Sequence, residues 1–360
     1  LKPDSTEAHY NLGSTLKELG RLDEAEASYN QAITLKPDFI EAHNNLGVTL
    51  KELGRLDESE ASYNRAIALK PDFAEAIQNK WLLLFDKKEF EAALSHSDAY
   101  TLKRSRGNDL ITLYALGRTD EIYKRIEIQS KIDADNIEIA AFSAFISEVE
   151  NKATANKFCP EPINFVHFSN LASHIKDSSD YIIGLIKELN KVKTVWEPEG
   201  KSTIGGFQSL LEKNLFESSS KKIAQLKTII INEIKAYYLK YHSESCSYIK
   251  KLPSGNNLFG WHVILKHQGH QSPHIHPNGW LSGVIYLKVV PSLEKDEGAI
   301  EFSLNGGNYS NINSSVLTHH PEEGDIVFFP SSLHHRTIPF TTNSDRIIIS
   351  FDLIPEVARR

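Results

Sequence analysis

The sequence predicts a multi-domain α + β protein: an N-terminal α-solenoid, then a C-terminal antiparallel β domain with flanking helices. Three observations carry that prediction. LKPD recurs at 1–4, 35–38 and 69–72, a period of 34 residues. After Ser254 the apolar residues change from helical spacing to alternation, the mark of half-buried strands. Nine of the fifteen histidines lie between His262 and His335, a crowding that asks for a chemical cause.

The text between the LKPD copies repeats too. EAHYNLGSTLKELGRLDEAEASYNQAI returns as EAHNNLGVTLKELGRLDESEASYNRAI. Each unit reads as a helical hairpin whose small residues let its two helices approach and whose proline ends the second helix. The period, with Leu12, Gly13, Ala25, Tyr29, Ala32 and Pro37 and then Leu46, Gly47, Ser59, Tyr63, Ala66 and Pro71, resembles the tetratricopeptide repeat. That resemblance implies an array that binds a protein or peptide. Asn11 and Asn45 hold equivalent positions on the first helix of each unit, and are either contacts to an extended peptide backbone or scaffold residues of the repeat. A third copy starts near Ala74 and decays: Trp81, Leu84 and Ala93 keep the period, but Ser97 stands where Tyr29 and Tyr63 stood. It reads as the capping end of the array, and the LKPD at Leu1 as the tail of an earlier repeat upstream.

Residues 106–150 keep helical patterning without the repeat consensus and are expected to form irregular hairpins. The polar, proline-punctuated NKATANKFCPEP at 151–162 is the best boundary. The expected domains are thus repeats over 1–105, a helical extension over 106–160 and a β domain over 161–360, its core at 256–355. Helices are expected at 181–192 and 221–241, with an extended piece at 194–198. WHVILKH, SGVIYLKVV, AIEFSL, DIVFFP and RIIISFDL, separated by Gly, Pro, Asn and Ser, read as the strands of a sandwich or barrel.

Two histidines at i and i+2 on a strand share a face, and a third from a later strand can complete one face of a metal's coordination shell. His274 and His276 of PHIHP, expected just before the strand starting at Ser282, can therefore meet His335, which follows DIVFF. His334 must face the other way, as a surface residue or a support behind the ligands. His319 and His320 precede Pro321 in a loop. His262, His267 and His270 run along an approaching strand, as substrate contacts or packed residues, and Asp325 reads as a turn residue.

PHIHP with WLSGVIYL behind it, and FFPSSLHHRTIPF followed by Arg346, resemble the double-stranded β-helix, a jelly-roll or cupin-like fold, of 2-oxoglutarate/Fe(II) oxygenases. The similarity covers roughly residues 195–355 and is dense from 256 onward. It implies His274, His276 and His335 as iron ligands and Arg346 as the anchor of 2-oxoglutarate. It also implies a hydroxylase that uses O2 and releases succinate and CO2. Arg346 opens a strand apolar at Ile347, Ile348, Ile349 and Phe351, so its guanidinium is expected beside a core, where a bidentate carboxylate is its natural partner. Tyr286 is a candidate second donor to that carboxylate, and Trp261 a candidate wall of the pocket. The chain departs from the pattern at two places. His276 stands where these oxygenases carry a carboxylate, and Ile348 where a serine is common. Three outcomes stay open: His276 ligates, it leaves a position open, or catalysis is lost and the protein is an interaction scaffold. A cupin-like three-histidine dioxygenase without cosubstrate is a further alternative.

Composition excludes other classes. Forty Lys and Arg against 47 Asp and Glu give a net charge of −7, without the basic footprint that nucleic acid requires. Cys159 and Cys246 lack CxxC spacing, so a zinc ribbon is excluded. No apolar run reaches the roughly 20 residues a bilayer span needs, and the expectation is a soluble cytoplasmic protein with no membrane partner. The chain begins at Leu1 and holds no methionine, as a fragment or a chain with its methionines omitted would.

Overall fold

The computed structural model describes residues 5–100, 107–198, 200–210, 213–254 and 257–355. The LKPD at 1–4 and the expected boundary at 105/106 lie outside them. The chain divides into two compact units, Leu1–Arg118 and Thr119–Arg360, so the helical stretch read over 106–160 is shared between them.

The first unit is a series of helical hairpins: α1 (Thr6–Glu18) with α2 (Leu22–Leu35), α3 (Ile40–Glu52) with α4 (Leu56–Leu69), and α5 (Ala74–Asp86) with α6 (Phe90–Tyr100), followed by α7 (Asn108–Ala115). Small residues set the closeness of each pair. A Cβ on Gly13 would lie 2.8 Å from the Tyr29 ring, and one on Gly47 only 2.5 Å from Tyr63. Ser59 tightens the second hairpin by donating its hydroxyl to the Gly47 carbonyl at 2.7 Å. The third hairpin solves the same packing problem differently. Trp81 occupies the position of Gly13 and Gly47, while Ser97 occupies that of Tyr29 and Tyr63, so the bulk has moved from the second helix to the first. Trp81 is buried, and its Nε1 donates to Thr112 Oγ1 of α7 at 3.0 Å.

The second unit opens with α8 (Thr119–Ile132) and α9 (Ile137–Val149), the latter capped by Asn136, whose side chain accepts from the Ile139 amide. Helices α10 (Ser178–Leu189), α11 (Lys221–Tyr241) and α12 (Ser247–Lys250) are interspersed, among the described residues, with ten strands. The strands are β1 (His167–Asn170), β2 (Thr194–Trp196), β3 (Thr203–Ser209), β4 (Leu258–His274), β5 (Leu281–Lys288), β6 (Ile300–Ser303), β7 (Val316–His319), β8 (Asp325–Pro330), β9 (His334–Thr337) and β10 (Arg346–Leu353). Every pairing is antiparallel.

The order β1-β8-β5-β10-β4-β9-β6-β7 makes two layers that share one strand. The first half of the 17-residue β4 pairs with β10, and its end pairs with β9. The sheet therefore curls on itself as a jelly roll. On β10 the odd residues Ile347, Ile349, Phe351 and Leu353 join α10 and α11 in the apolar core. The even residues Arg346, Ile348, Ser350 and Asp352 face the other way. Register places Tyr286, Val284 and Ser282 of β5 beside Ile348, Ser350 and Asp352 on that second face.

Candidate metal centre

His274 ends β4 and pairs directly with His335 of β9. As read from the sequence, the HxH pair lies just before the strand that holds Ser282, which starts at Leu281. In addition, His274 closes the preceding strand, which runs on through Gly269, and His276 lies just past its end. The three ring centroids are 4.2 Å (His274 to His335), 5.3 Å (His274 to His276) and 5.0 Å (His276 to His335) apart. One nitrogen from each ring lies within 4.8 Å of the others. Phe329 covers the His335 ring at 4.4 Å, and Phe302 lies behind it.

The hydrogen bonds fix which nitrogen faces inward. His274 Nδ1 lies 2.8 Å from the Ser272 carbonyl, His335 Nδ1 3.3 Å from the Leu333 carbonyl, and His276 Nδ1 2.5 Å from Asp352 Oδ1. A carbonyl or carboxylate oxygen can only accept, so each Nδ1 carries a proton and each Nε2 is left free of these contacts. Burial, and then the neighbouring His276, push His274 down to about pKa 3. Burial, then His274 and His276, hold His335 well below the ordinary histidine value. Both rings are therefore neutral at pH 7. The Nε2 atoms of His276 and His274 are 3.3 Å apart, the separation of two nitrogens that share a metal at about 2.1 Å from each. The donor set fits a divalent metal of the kind imidazole favours.

The same cavity holds an uncompensated cation. It is lined by the three histidines together with Gln271, Tyr286, Thr337, Arg346 and others of the same face. Arg346 is 1% exposed, donates Nη1 to the Gly298 carbonyl, and leaves Nε without a partner. Its guanidinium sits 5.0 Å from the centre of the Tyr286 ring, and the buried Tyr286 hydroxyl also lacks a partner. Burial pushes Tyr286 up to about 12, against the opposing pull of Arg346. The buried guanidinium and the buried phenol each keep a donor unused, and a buried unused donor is costly.

Other sequence candidates are distributed elsewhere. Trp261 lies beside His276, ring to ring at 5.6 Å, and four residues along β4 from Leu265, the register partner of Arg346. His334 is buried against Tyr309 rather than on the surface. His319 contacts Asp325 at 3.0 Å and the exposed His320 contacts Asp296 at 3.0 Å, both away from the cavity. His267 is exposed, and His270 contacts the Gln268 carbonyl. Asp325 also accepts from Asn170 at 2.9 Å and so ties β1 to β8. In the repeats, Asn11 is exposed, whereas the Asn45 amide donates to Tyr10 Oη at 3.1 Å and accepts from Asn44. The residue missed in the sequence is Asp352. It lies six residues beyond Arg346, on the same face of the same strand, and period-two counting from Arg346 reaches it.

Comparisons with known proteins find similarity in both the helical and the β part of the chain. Residues 260–352 match the family described as "Putative 2OG-Fe(II) oxygenase", 13–54 the family "TPR repeat" and 40–73 the family "Tetratricopeptide repeat". No curated protein matches the chain. Among solved structures, a prolyl-4-hydroxylase of Pseudomonas putida aligns over 61% of this chain and all of its own, at 11% identity and a TM-score of 0.39. MamA of Desulfovibrio magneticus RS-1 aligns over 41% of this chain and 85% of its own, at 14% identity and a TM-score of 0.34. A tetratricopeptide repeat protein of Parabacteroides merdae aligns over 42% of this chain and 61% of its own, at 21% identity and a TM-score of 0.35. No helix among the described residues is long and apolar enough to cross a membrane. The N-terminal part of the chain is thus built of tetratricopeptide repeats, and its curled β domain carries the match to the 2OG-Fe(II) oxygenase family.

Proposed function

We propose that the C-terminal domain is an Fe(II)- and 2-oxoglutarate-dependent oxygenase, a hydroxylase, and that the repeats bind a protein or peptide, either its substrate or a partner. One observation carries the reading: the buried, half-satisfied guanidinium of Arg346 opens into the cavity onto which three histidine ring nitrogens converge. A metal site alone has no use for that cation, and a dicarboxylate cosubstrate does. His274, His276 and His335 would hold the metal through Nε2, and Arg346 with Tyr286 would hold the far carboxylate of 2-oxoglutarate. When bound, the iron and 2-oxoglutarate supply the activation of O2 and the oxidation of a C–H bond, with succinate and CO2 as coproducts. Val284, Ile300, Phe329 and Ile348 supply the apolar part of the cavity wall, with Phe302 packed behind Phe329, and limit the water that reaches the charged groups. The cavity itself is tight, about 10 Å³, close to one water. Cosubstrate entry therefore requires lining side chains to swing aside.

Anaerobic addition of Fe(II) and 2-oxoglutarate to the full chain is expected to raise a weak visible charge-transfer band, and O2 to release succinate. Arg346→Ala should weaken 2-oxoglutarate binding by about 100-fold or more, the scale of losing one partner of a buried ion pair. It should also raise the melting temperature of the metal-free protein, because an unpaired buried cation has gone. No band and no succinate would refute the oxygenase reading. Turnover that needs no 2-oxoglutarate and survives Arg346→Ala would place the domain among cosubstrate-free three-histidine dioxygenases, the reading a narrow cavity favours.

A further inference from the structure

Three imidazoles provide no negative charge, yet a carboxylate lies one hydrogen bond away. Of the three rings, two rest their Nδ1 on carbonyls, and only His276 rests on a carboxylate, Asp352 Oδ1 at 2.5 Å. Resting on the proposed metal site, we infer that Asp352 is the carboxylate of this centre: it acts through His276, fixing the ring's orientation and tautomer and lending it negative charge, in place of a carboxylate ligand.

The surroundings are built for that task. Ser282 donates to the same Asp352 oxygen at 2.7 Å and also lies 3.0 Å from His276 Nδ1. Ser331 Oγ meets Ser282 Oγ at 2.7 Å, and because Ser282 has given its proton to Asp352, Ser331 is the donor there. The His276 amide donates to the Ser331 carbonyl at 3.0 Å, which closes the circuit from ring to backbone. Gly279 makes room for this arrangement, since a Cβ there would lie 2.6 Å from Ser331 Oγ and 3.1 Å from Asp352 Cγ. Among the described residues no lysine or arginine pairs with Asp352, and the His276 ring is the titratable group it contacts. Its charge is therefore not spent elsewhere. Both side chains are nearly out of water, at 14% exposed for Asp352 and 10% for His276, so the bond is strong and directional. A ring that donates to a carboxylate is a more basic ligand, and removing such a partner typically costs about 10–100-fold in metal affinity.

The test is anaerobic competition of the full chain against a chromophoric chelator for Fe(II) and for Co(II). Asp352→Asn removes the charge and keeps the shape. It is expected to weaken binding about 10–100-fold and to shift the visible bands of bound Co(II), with the melting temperature of the metal-free chain unchanged. Affinity within about twofold of the unmutated chain, with unshifted bands, overturns the inference while leaving the metal site standing. If the unmutated chain binds neither metal, the site reading falls and this one with it. A second measurement needs no variant. In the Zn(II)-loaded chain, the Nδ1 proton of His276 should resonate downfield of those of His274 and His335 in proton NMR, and three equal shifts overturn the inference even if Asp352→Asn fails to fold.

Discussion

His262 shows how a single side chain couples this domain to pH. It is wholly buried on β4, and neither ring nitrogen has a hydrogen-bond partner. Burial alone pushes it down to about pKa 4. The folded chain holds this ring neutral at a pH where the unfolded chain takes up a proton. Its contribution is thus complete above about pH 6.5, the unfolded histidine value, and is lost as pH falls toward 4. At pH 5 the loss is about 2 kcal/mol. Denaturant unfolding of His262→Phe at pH 7 and pH 5 should show a pH-dependent decrement smaller than that of the unmutated chain by about that amount. An equal decrement would mean that the ring finds a partner in solution. The residues of the centre were legible unequally. The HxH spacing with a later His, and an arginine opening an apolar strand, are local signals. Asp352 shares its face with Arg346 by simple alternation, but the tie to His276 depends on how the chain after β4 folds back over β10, which no local pattern encodes.

Among the elements, the third hairpin is where consensus and packing part. Gly13 with Tyr29 and Gly47 with Tyr63 are replaced, at the same spacing, by Trp81 with Ser97. The sequence reading treated Ser97 as decay, because a consensus scores each position by itself, whereas packing conserves the volume of the pair. A double-mutant cycle tests this. Trp81→Gly should cost about 3–5 kcal/mol for the cavity, and Ser97→Tyr about 1–3 kcal/mol for crowding. Together they restore the upstream pairing and should cost less than the sum, by about 0.5–3 kcal/mol. Additive costs in denaturant unfolding would show that the two positions do not share space. Strands were legible where alternation was long and apolar, as in β5, β8 and β10. The four-residue β1, β7 and β9 were missed, since such segments carry too few alternations to register and are set by their partners. The same limit hid the length of β4, whose polar second half, KHQGHQSPH, is held in the sheet by β3 and β9.

At the scale of the whole molecule, the two patterns in the sequence, a 34-residue period and then alternation, correspond to two units, each with apolar clusters of its own among the described residues. One core runs from Ile137 to Leu353, and those around Tyr29, Ala66 and Trp81 lie before Arg118. The repeats owe their stability to neighbour stacking of helices, whereas the β unit depends on long-range strand pairing closed by β10. Each unit should therefore respond to its own perturbation. Calorimetry of the full chain is expected to show two transitions. Metal at about 100 times its dissociation constant should raise the stability of the β unit by about 2.7 kcal/mol and leave the repeat transition in place. Trp81→Gly should do the reverse, lowering the repeat transition alone. If metal shifts both transitions, or if only one transition exists, the two cores unfold as one cooperative system, and a partner bound on the repeats would then stabilise the metal centre through folding itself. If the transitions move separately, the repeats serve the centre by presenting a substrate to it, which is one of the two roles proposed for them.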